Sequence, residues 1–126
     1  MIRTFLAFFA LFAALFVSAP PAEAQTTSMT FKFRAFHPNI VDVKIYSDSR
    51  RVHWPAGGQV WSLKNSNVNN IKISCLTGEK VCYGAWVRGT RSMSWGVGHE
   101  RALRCTGCCY TCNTNSSTPV INLNAR

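Results

Sequence analysis

Apolar and polar residues alternate with a period of two through much of the chain beyond residue 29. In residues 30–34, phenylalanines alternate with a threonine, a lysine and an arginine, and residues 25–29 before them are largely polar. Strict alternation is the pattern of a β-strand with one buried face. We therefore predict a strand at residues 30–34, preceded by a loose terminus at residues 25–29.

Residues 40–46 repeat this alternation after a break at His37-Pro38-Asn39. The two valines and one isoleucine at odd-numbered positions share one face, and Asp42, Lys44 and Tyr46 share the other. Successive side chains of a strand point to opposite faces of the sheet. We predict a second half-buried strand here, with the odd-numbered positions toward the core.

Further short strands follow at intervals of about ten residues, separated by turn residues. They are predicted at residues 59–63, 70–75, 81–87, 93–97, 110–112 and 120–123. No stretch of useful length has helical periodicity, and residues 100–104 are too short for more than one helical turn. The pattern predicts an all-β fold, a small antiparallel β-sandwich or barrel cross-linked by disulfides.

The first 24 residues have the form of a secretory signal peptide. Arg3 supplies a positive start, residues 5–17 are apolar, and Ala22-Glu23-Ala24 is a small-x-small cleavage site. The apolar run is shorter than the ~20 residues that a membrane-spanning helix needs. We predict a signal peptide at residues 1–24 and one disulfide-stabilised β domain at residues 25–126, secreted or periplasmic; retention as a membrane anchor is the alternative.

All six cysteines lie between residues 75 and 112. They are Cys75, Cys82, Cys105, Cys108, Cys109 and Cys112. A mature domain of about 100 residues has a small core, and exported domains of this size commonly use disulfides. An even number of cysteines in such a chain predicts three disulfides, although the sequence alone permits 15 pairings.

One of these pairings follows from a predicted hairpin. Residues 75–82 place Gly78 in a turn between two apolar flanks, which is typical of a β-hairpin. Cys75 and Cys82 would then face each other, with Cα atoms ~4.5–5.5 Å apart, which suits a disulfide. We therefore expect a Cys75–Cys82 bridge first.

The other four cysteines leave more than one arrangement open. Cys108 and Cys109 are adjacent, so their side chains point to opposite faces of a strand, and a bridge between them is excluded. Pairs 105–108 with 109–112 are one alternative. A crossed arrangement that joins this segment to residues 75 and 82 is the other.

The same four cysteines suggest two chemical alternatives. Two abutting C-x2-C units resemble zinc-ligand spacing, but zinc sites usually separate the two pairs with a longer insert. Either unit could also be a redox-active disulfide with a thiolate at Cys105 favoured by Arg101 and Arg104, although such motifs normally begin a helix. The alternative function is therefore a thiol-redox or metal-binding protein that uses residues 105–112, whereas the preferred interpretation is structural disulfides with no metal and no cofactor.

Catalysis finds little support in the sequence. The predicted mature chain has four acidic residues and three histidines, and no two acids are spaced as a motif. His99-Glu100, which follows Gly96 and Gly98, is the one pair that could serve acid–base chemistry. We expect a histidine of a surface loop there, and we predict no catalytic residues.

Charge favours an anionic partner. The chain carries 14 basic and 5 acidic residues, a net charge of +9. Outside a cell, such a charge attracts anionic lipids, acidic glycans and other polyanions. The sequence shows no specific nucleic-acid site and says nothing of the oligomeric state.

Two groups combine arginine with tryptophan and are the candidate binding residues. The first is Arg50, Arg51 and Trp54, and the second is Arg88, Arg91 and Trp95. Indole rings stack on sugars and attract cations, and arginines bind anionic groups. Core tryptophans and solvated arginines are the structural alternative. We predict an exported, non-enzymatic binding or accessory envelope protein with a basic, aromatic surface.

Three segments of the second half carry a resemblance to known proteins. Residues 78–86, 95–98 and 108–112 resemble pieces of small exported, cysteine-rich bacterial β-domains. The resemblance covers roughly the last half of the mature chain. It implies export and disulfide cross-links, and it implies no activity.

Overall fold

The computed structural model describes residues 25–124 and, before them, Phe16; the predicted signal peptide otherwise lies outside the described residues. The described residues form nine strands and one 3-10 turn. They are β1 (Thr26–Phe36), β2 (Val41–Ser47), β3 (His53–Trp54), β4 (Trp61–Leu63), β5 (Asn69–Leu76), β6 (Lys80–Val87), β7 (Thr90–Gly96), the 3-10 turn (His99–Arg101), β8 (Cys109–Thr111) and β9 (Ser116–Asn124). The predicted all-β class is confirmed.

The strands form two sheets that pack as a sandwich. The smaller sheet has the order β5-β1-β9. In the larger sheet, β2 and β6 are the central pair; the short strands β3 and β4 share the free edge of β2, and β7 and β8 share the free edge of β6. Each long central strand therefore has both edges occupied along most of its length.

Strand β1 organises the smaller sheet and is longer than predicted. It begins at Thr26, because Met29 is buried and the residues before it pair with β5 up to Leu76. The predicted loose terminus at residues 25–29 is therefore wrong. On its other side β1 pairs with β9 in parallel, so the sheet is mixed and not purely antiparallel; a bulge between Thr30 and Lys32 is filled by Thr118, whose Oγ1 accepts the Lys32 N–H at 3.1 Å.

The core lies between the sheets and contains the residues that the alternation predicts. Val41, Val43 and Ile45 are fully buried. Across the core, Phe31 meets Tyr110 and Phe33 meets Tyr83 edge to face, with ring centroids 5.6 and 5.4 Å apart. Edge-to-face pairs of this kind add about 0.5–1.5 kcal/mol beyond the burial of their surface.

The predicted hairpin at residues 75–82 is wrong, and so is its disulfide. Strand β5 belongs to the smaller sheet and β6 to the larger one, so the turn around Gly78 carries the chain from one sheet to the other. A turn glycine with positive φ, 85° at Gly78, serves this connection as well as it serves a hairpin. Cys75 and Cys82 consequently have different partners.

The six cysteines stand in three pairs at disulfide distance. Cys75 pairs with Cys112 and links the two sheets. Cys82 and Cys109 lie opposite each other on β6 and β8, with Cα atoms 4.0 Å apart. Cys105 pairs with Cys108 across a short exposed loop. The crossed arrangement is thus observed for two pairs, and the pair 109–112 is not formed.

A buried carboxylate fixes the turn between the sheets. The side chain of Glu79 is 2% exposed and accepts hydrogen bonds from Arg50 Nη2 and Ser47 Oγ, both at 2.7 Å, and from the Leu76 N–H at 3.1 Å. The guanidinium of Arg50 is the main cause that lowers the pKa of Glu79 to about 2, against the opposing effect of burial. One ionised carboxylate therefore joins β2, β5 and the loop that follows β2.

Among the described residues, no helix has the length and apolar character that crossing a membrane requires.

Candidate functional site

The candidate site lies on the outer face of β2. The alternation predicts this face as the polar, exposed side of a half-buried strand. Asp42, Lys44 and Tyr46 are only 6, 9 and 6% exposed. Two segments make the cover: the loop between β3 and β4, and the segment that contains the 3-10 turn. Both come from parts of the chain distant from β2, so the local pattern does not reveal them.

Lys44 holds the first of these segments. Its Nζ donates to the carbonyl oxygens of Gly57 and Gln59, each at 2.7 Å. An ammonium group has three N–H donors, so one remains after these two bonds. Burial lowers the pKa of Lys44 below its usual value, because a low-dielectric environment disfavours the charged form.

The second segment lies directly on β6 because Gly84 has no side chain. A Cβ at this position would overlap the carbonyl oxygen of Gly98 and would come within 3.2 Å of the Tyr46 ring. After Gly98, both Glu100 and Arg101 have left-handed backbone, with φ of 53° and 59°. Left-handed non-glycine residues are strained and concentrate at functional sites.

Between the two segments lies a cavity of about 360 Å³, which we call the outer cavity. Its lining side chains include Lys44, Tyr46, His53, Trp86, His99 and Arg101. The volume is at the small end of the range for ligand pockets, which begins near ~300 Å³. The lining is unusual for a structural hollow, since it joins cations, imidazoles and aromatic rings.

The aromatic walls are held by specific contacts. The ring of His99 meets the ring of Trp86 edge to face, with centroids 4.6 Å apart. The hydroxyl of Tyr46 accepts the Glu100 N–H at 3.1 Å, and burial raises the pKa of this tyrosine. The same hydroxyl keeps its own proton free to donate to a ligand.

His53 faces the cavity from the edge of the sheet. Its Nδ1 lies 2.9 Å from the carbonyl oxygen of Pro55. A carbonyl only accepts, so Nδ1 carries the proton of this hydrogen bond and Nε2 is the other ring nitrogen. The arrangement resembles the way proteins orient an imidazole that acts on a ligand.

Charge at the mouth of the cavity is mixed. Arg101 donates to the Ser47 carbonyl oxygen at 3.0 Å and lies 3.3 Å from Asp48 Oδ1, so it is anchored while its side chain remains 43% exposed. Glu100 is 82% exposed, and its Oε2 lies 4.0 Å from His99 Nδ1. The mouth thus offers both a guanidinium and a carboxylate to a ligand.

The first predicted binding group does not converge on this cavity. Arg50 binds Glu79, and Trp54 is half-buried against the core. Arg51 is exposed. The intervening residue of that stretch, His53, is the one that reaches the cavity.

The second predicted group is brought together only in part: Arg91 and Trp95 line one cavity, and Arg88 lies elsewhere. Arg88 pairs with Asp42, Nη2 to Oδ1 at 2.7 Å, and this hydrogen bond raises the pKa of Arg88. Trp95 is 8% exposed, and its indole N–H donates to the Asn124 carbonyl oxygen at 3.0 Å. Arg91 is exposed. Of the six residues, Arg51, Arg88 and Arg91 are exposed, and Arg88 is bound to Asp42.

All six cysteines are paired, so none is a free thiol. Within residues 25–124, no three histidine, cysteine or acidic side chains group as ligands for a metal ion. The thiol-redox alternative stays a prediction, because a redox-active C-x2-C such as Cys105–Cys108 is also a disulfide in its oxidised form.

Comparisons with protein-family models, with curated proteins and with solved structures find no significant similarity to this chain. The outer cavity is therefore interpreted from its own geometry. This cavity was missed from the sequence, although Gly84 offered a signal that was not used, because a glycine inside a strand pattern marks a close backbone approach.

Proposed function

We propose that this chain is an exported, non-enzymatic binding domain that holds an acidic sugar unit of a glycan in the outer cavity. The observation that carries the proposal is the joint lining of the cavity by the buried ammonium of Lys44, the guanidinium of Arg101 and the ring of Trp86. A cation for the carboxylate and an aromatic wall for the sugar ring are the complementary groups that such a ligand requires.

The remaining polar groups support a sugar rather than a simple inorganic anion. The hydroxyl of Tyr46 and the exposed carboxylate of Glu100 suit the hydroxyl groups of a saccharide. The net charge of +9 adds a long-range attraction for any acidic glycan.

Lys44 is the residue whose replacement tests the site. The Lys44→Met variant keeps a similar apolar stem but removes the ammonium, and we expect its affinity for glucuronate to fall at least tenfold, about 1.4 kcal/mol. Isothermal titration calorimetry with glucuronate measures this, with glucose as the uncharged ligand. The affinity of the native chain should also fall at high pH, because the lowered pKa of Lys44 removes the charge earlier than in an exposed lysine.

Lys64→Met is the matched control, because Lys64 is exposed and lies outside the outer cavity. It makes the same change of charge and should bind glucuronate within twofold of the native chain. The proposal is contradicted if the native chain and both variants bind glucuronate with equal affinity. It is also contradicted if the native chain binds glucose as tightly as glucuronate.

A further inference from the structure

The smaller sheet carries no acidic residue. Strands β1, β5 and β9 contain neither aspartate nor glutamate, whereas all four acids of residues 25–124 lie in β2, in the loops beside β2 and β6, or in the 3-10 turn. The inner face of the smaller sheet packs in the core. Its outer face, which we call the acid-free face, bears the exposed Val120 beside Lys32, Phe36 at one end of β1, and several polar and basic side chains. These are Thr30, Lys32, Arg34, Asn70, Lys72 and Asn122.

Strand register places these side chains in a defined lattice. Lys32 lies beside Asn70 on β5, Lys72 lies beside Thr30, and Arg34 lies beside Asn122 on β9. Lys32 and Arg34 are two positions apart on β1, about 7 Å at the usual rise per residue. Lys72 is diagonal to Lys32 across the β1–β5 pair, again about 7–8 Å. Three cations therefore lie at near-equal spacing on one flat surface.

These cations are free of internal partners. Three of the four acids in the described part of the chain face a guanidinium or an ammonium group: Asp42 faces Arg88, Glu79 faces Arg50, and Asp48 faces Arg101 and Lys80. The fourth, Glu100, lies in the 3-10 turn and not on the smaller sheet. Lys32, Arg34 and Lys72 make no ion pair with any described residue. They are therefore available to pair with an external ligand.

Arg34 is the most specific member of the set. Its Nε is the one buried side-chain nitrogen or oxygen among the described residues that has no hydrogen-bond partner. A buried N–H without an acceptor is unfavourable, and because this atom is inaccessible to solvent, an external ligand meets the other parts of the guanidinium. The guanidinium is also positioned, because its Cζ lies 5.8 Å from the centroid of the Phe36 ring.

We propose that the acid-free face binds a linear acidic polysaccharide along β1. The regular spacing of Lys32, Arg34 and Lys72 suits a chain with repeated carboxylates, and the neighbouring amide and hydroxyl side chains of Asn70, Thr30 and Asn122 suit the hydroxyl groups of its sugars. Binding of single-stranded nucleic acid typically uses several aromatic rings as a stacking platform. The outer positions of β1, β5 and β9 hold one aromatic residue, Phe36 at the end of β1.

This surface is independent of the outer cavity, because the two lie on the outer faces of opposite sheets of the sandwich. Lys44→Met should leave it unchanged. Failure of the outer cavity and failure of the acid-free face are therefore separate results.

The test compares two triple variants that lose the same charges. The first triple removes the three cations of the acid-free face: Lys32→Gln, Arg34→Gln and Lys72→Gln. The second removes two lysines and one arginine from exposed sites elsewhere: Lys64→Gln, Lys80→Gln and Arg104→Gln. Binding to immobilised polygalacturonate is measured between about 50 and 300 mM salt, over which the screening length shortens about 2.4-fold. We expect the first triple to lose at least tenfold in affinity and much of its salt dependence, and the second to stay within threefold of the native chain.

Three outcomes overturn the proposal: equal losses in the two triples, which would mean net charge alone; no binding of the native chain; or tighter binding to single-stranded DNA than to polygalacturonate. Circular dichroism establishes that each triple is folded. The double variant of Lys32→Gln with Lys72→Gln, set against Lys64→Gln with Lys80→Gln, keeps the test valid if the loss of Arg34 unfolds the chain.

Discussion

Replacing Cys75 and Cys112 together by alanine lowers the free energy of unfolding by about 4 kcal/mol. The pair spans 37 residues, and cross-linking a loop of that length removes this much conformational freedom from the unfolded chain in the entropic model. It also joins the two sheets at a fully buried position. A domain of about 100 residues loses about 4–8 °C of midpoint per kcal/mol, so the melting temperature should fall by roughly 15–30 °C.

The pair Cys105 and Cys108 supplies the matched comparison. It spans three residues, and the same model gives about 1.5 kcal/mol for its removal. Denaturant unfolding of the two double-alanine variants measures the difference. If removal of the pair 105–108 costs as much as removal of the pair 75–112, the assigned connection between the sheets is wrong.

Replacing Glu79 by glutamine should cost about 2 kcal/mol at pH 7. The folded chain holds the pKa of Glu79 at about 2, below the 4.5 of an unperturbed glutamate. Each unit of difference corresponds to about 1.4 kcal/mol, and we reduce the total because the partner Arg50 is 37% exposed. Because the folded pKa is the lower one, this contribution is complete above about pH 4.5 and is lost as the pH falls toward 2.

Denaturant unfolding of the native chain and of Glu79→Gln between pH 7 and pH 2 measures this contribution. The gap in stability should be widest at neutral pH and should narrow on acidification. Asp48→Asn is the control, because Asp48 is 44% exposed and its ion pairs contribute little. A stability difference between the two proteins that stays constant down to pH 2 would show that ionised Glu79 does not stabilise the fold.

Local alternation predicts the strands of this fold well and their partners poorly. The strands around Phe31 and Val43 are predictable because a period of two shows which face of a strand is buried. The period does not show which other strand pairs with it. A turn with Gly78 looks the same whether it closes a hairpin or carries the chain between two sheets, so the predicted Cys75–Cys82 pair was wrong.

The geometric rule behind that prediction holds elsewhere in the molecule. Cys82 and Cys109 oppose each other on paired strands with a short Cα separation, as the rule requires of a cross-strand disulfide. Cys108 and Cys109, adjacent in the chain, go to different partners as predicted. The error lay in the choice of strands and not in the physics of the pair.

The outer cavity was beyond the reach of local patterns for a related reason. Lys44 and Tyr46 look like solvent-facing residues of a half-buried strand, and only the folding of distant segments over β2 makes them part of a cavity. Trp86 belongs to the site because its ring contacts that of His99, which is distant in the sequence. The net charge and the pairing of cationic with aromatic residues were visible in the sequence, but the particular residues that meet were not.

The most direct test of the outer cavity is a titration of the ¹⁵N-labelled chain with glucuronate, followed by two-dimensional NMR. We expect shifts of the Trp86 indole N–H and of the backbone N–H groups of residues 98–101, which line or support the outer cavity. The Trp95 indole N–H, which is buried and bonded to Asn124, should stay in place. Shifts that spare Trp86 and residues 98–101, or their complete absence, would contradict the assignment of the outer cavity as a binding site for acidic sugars.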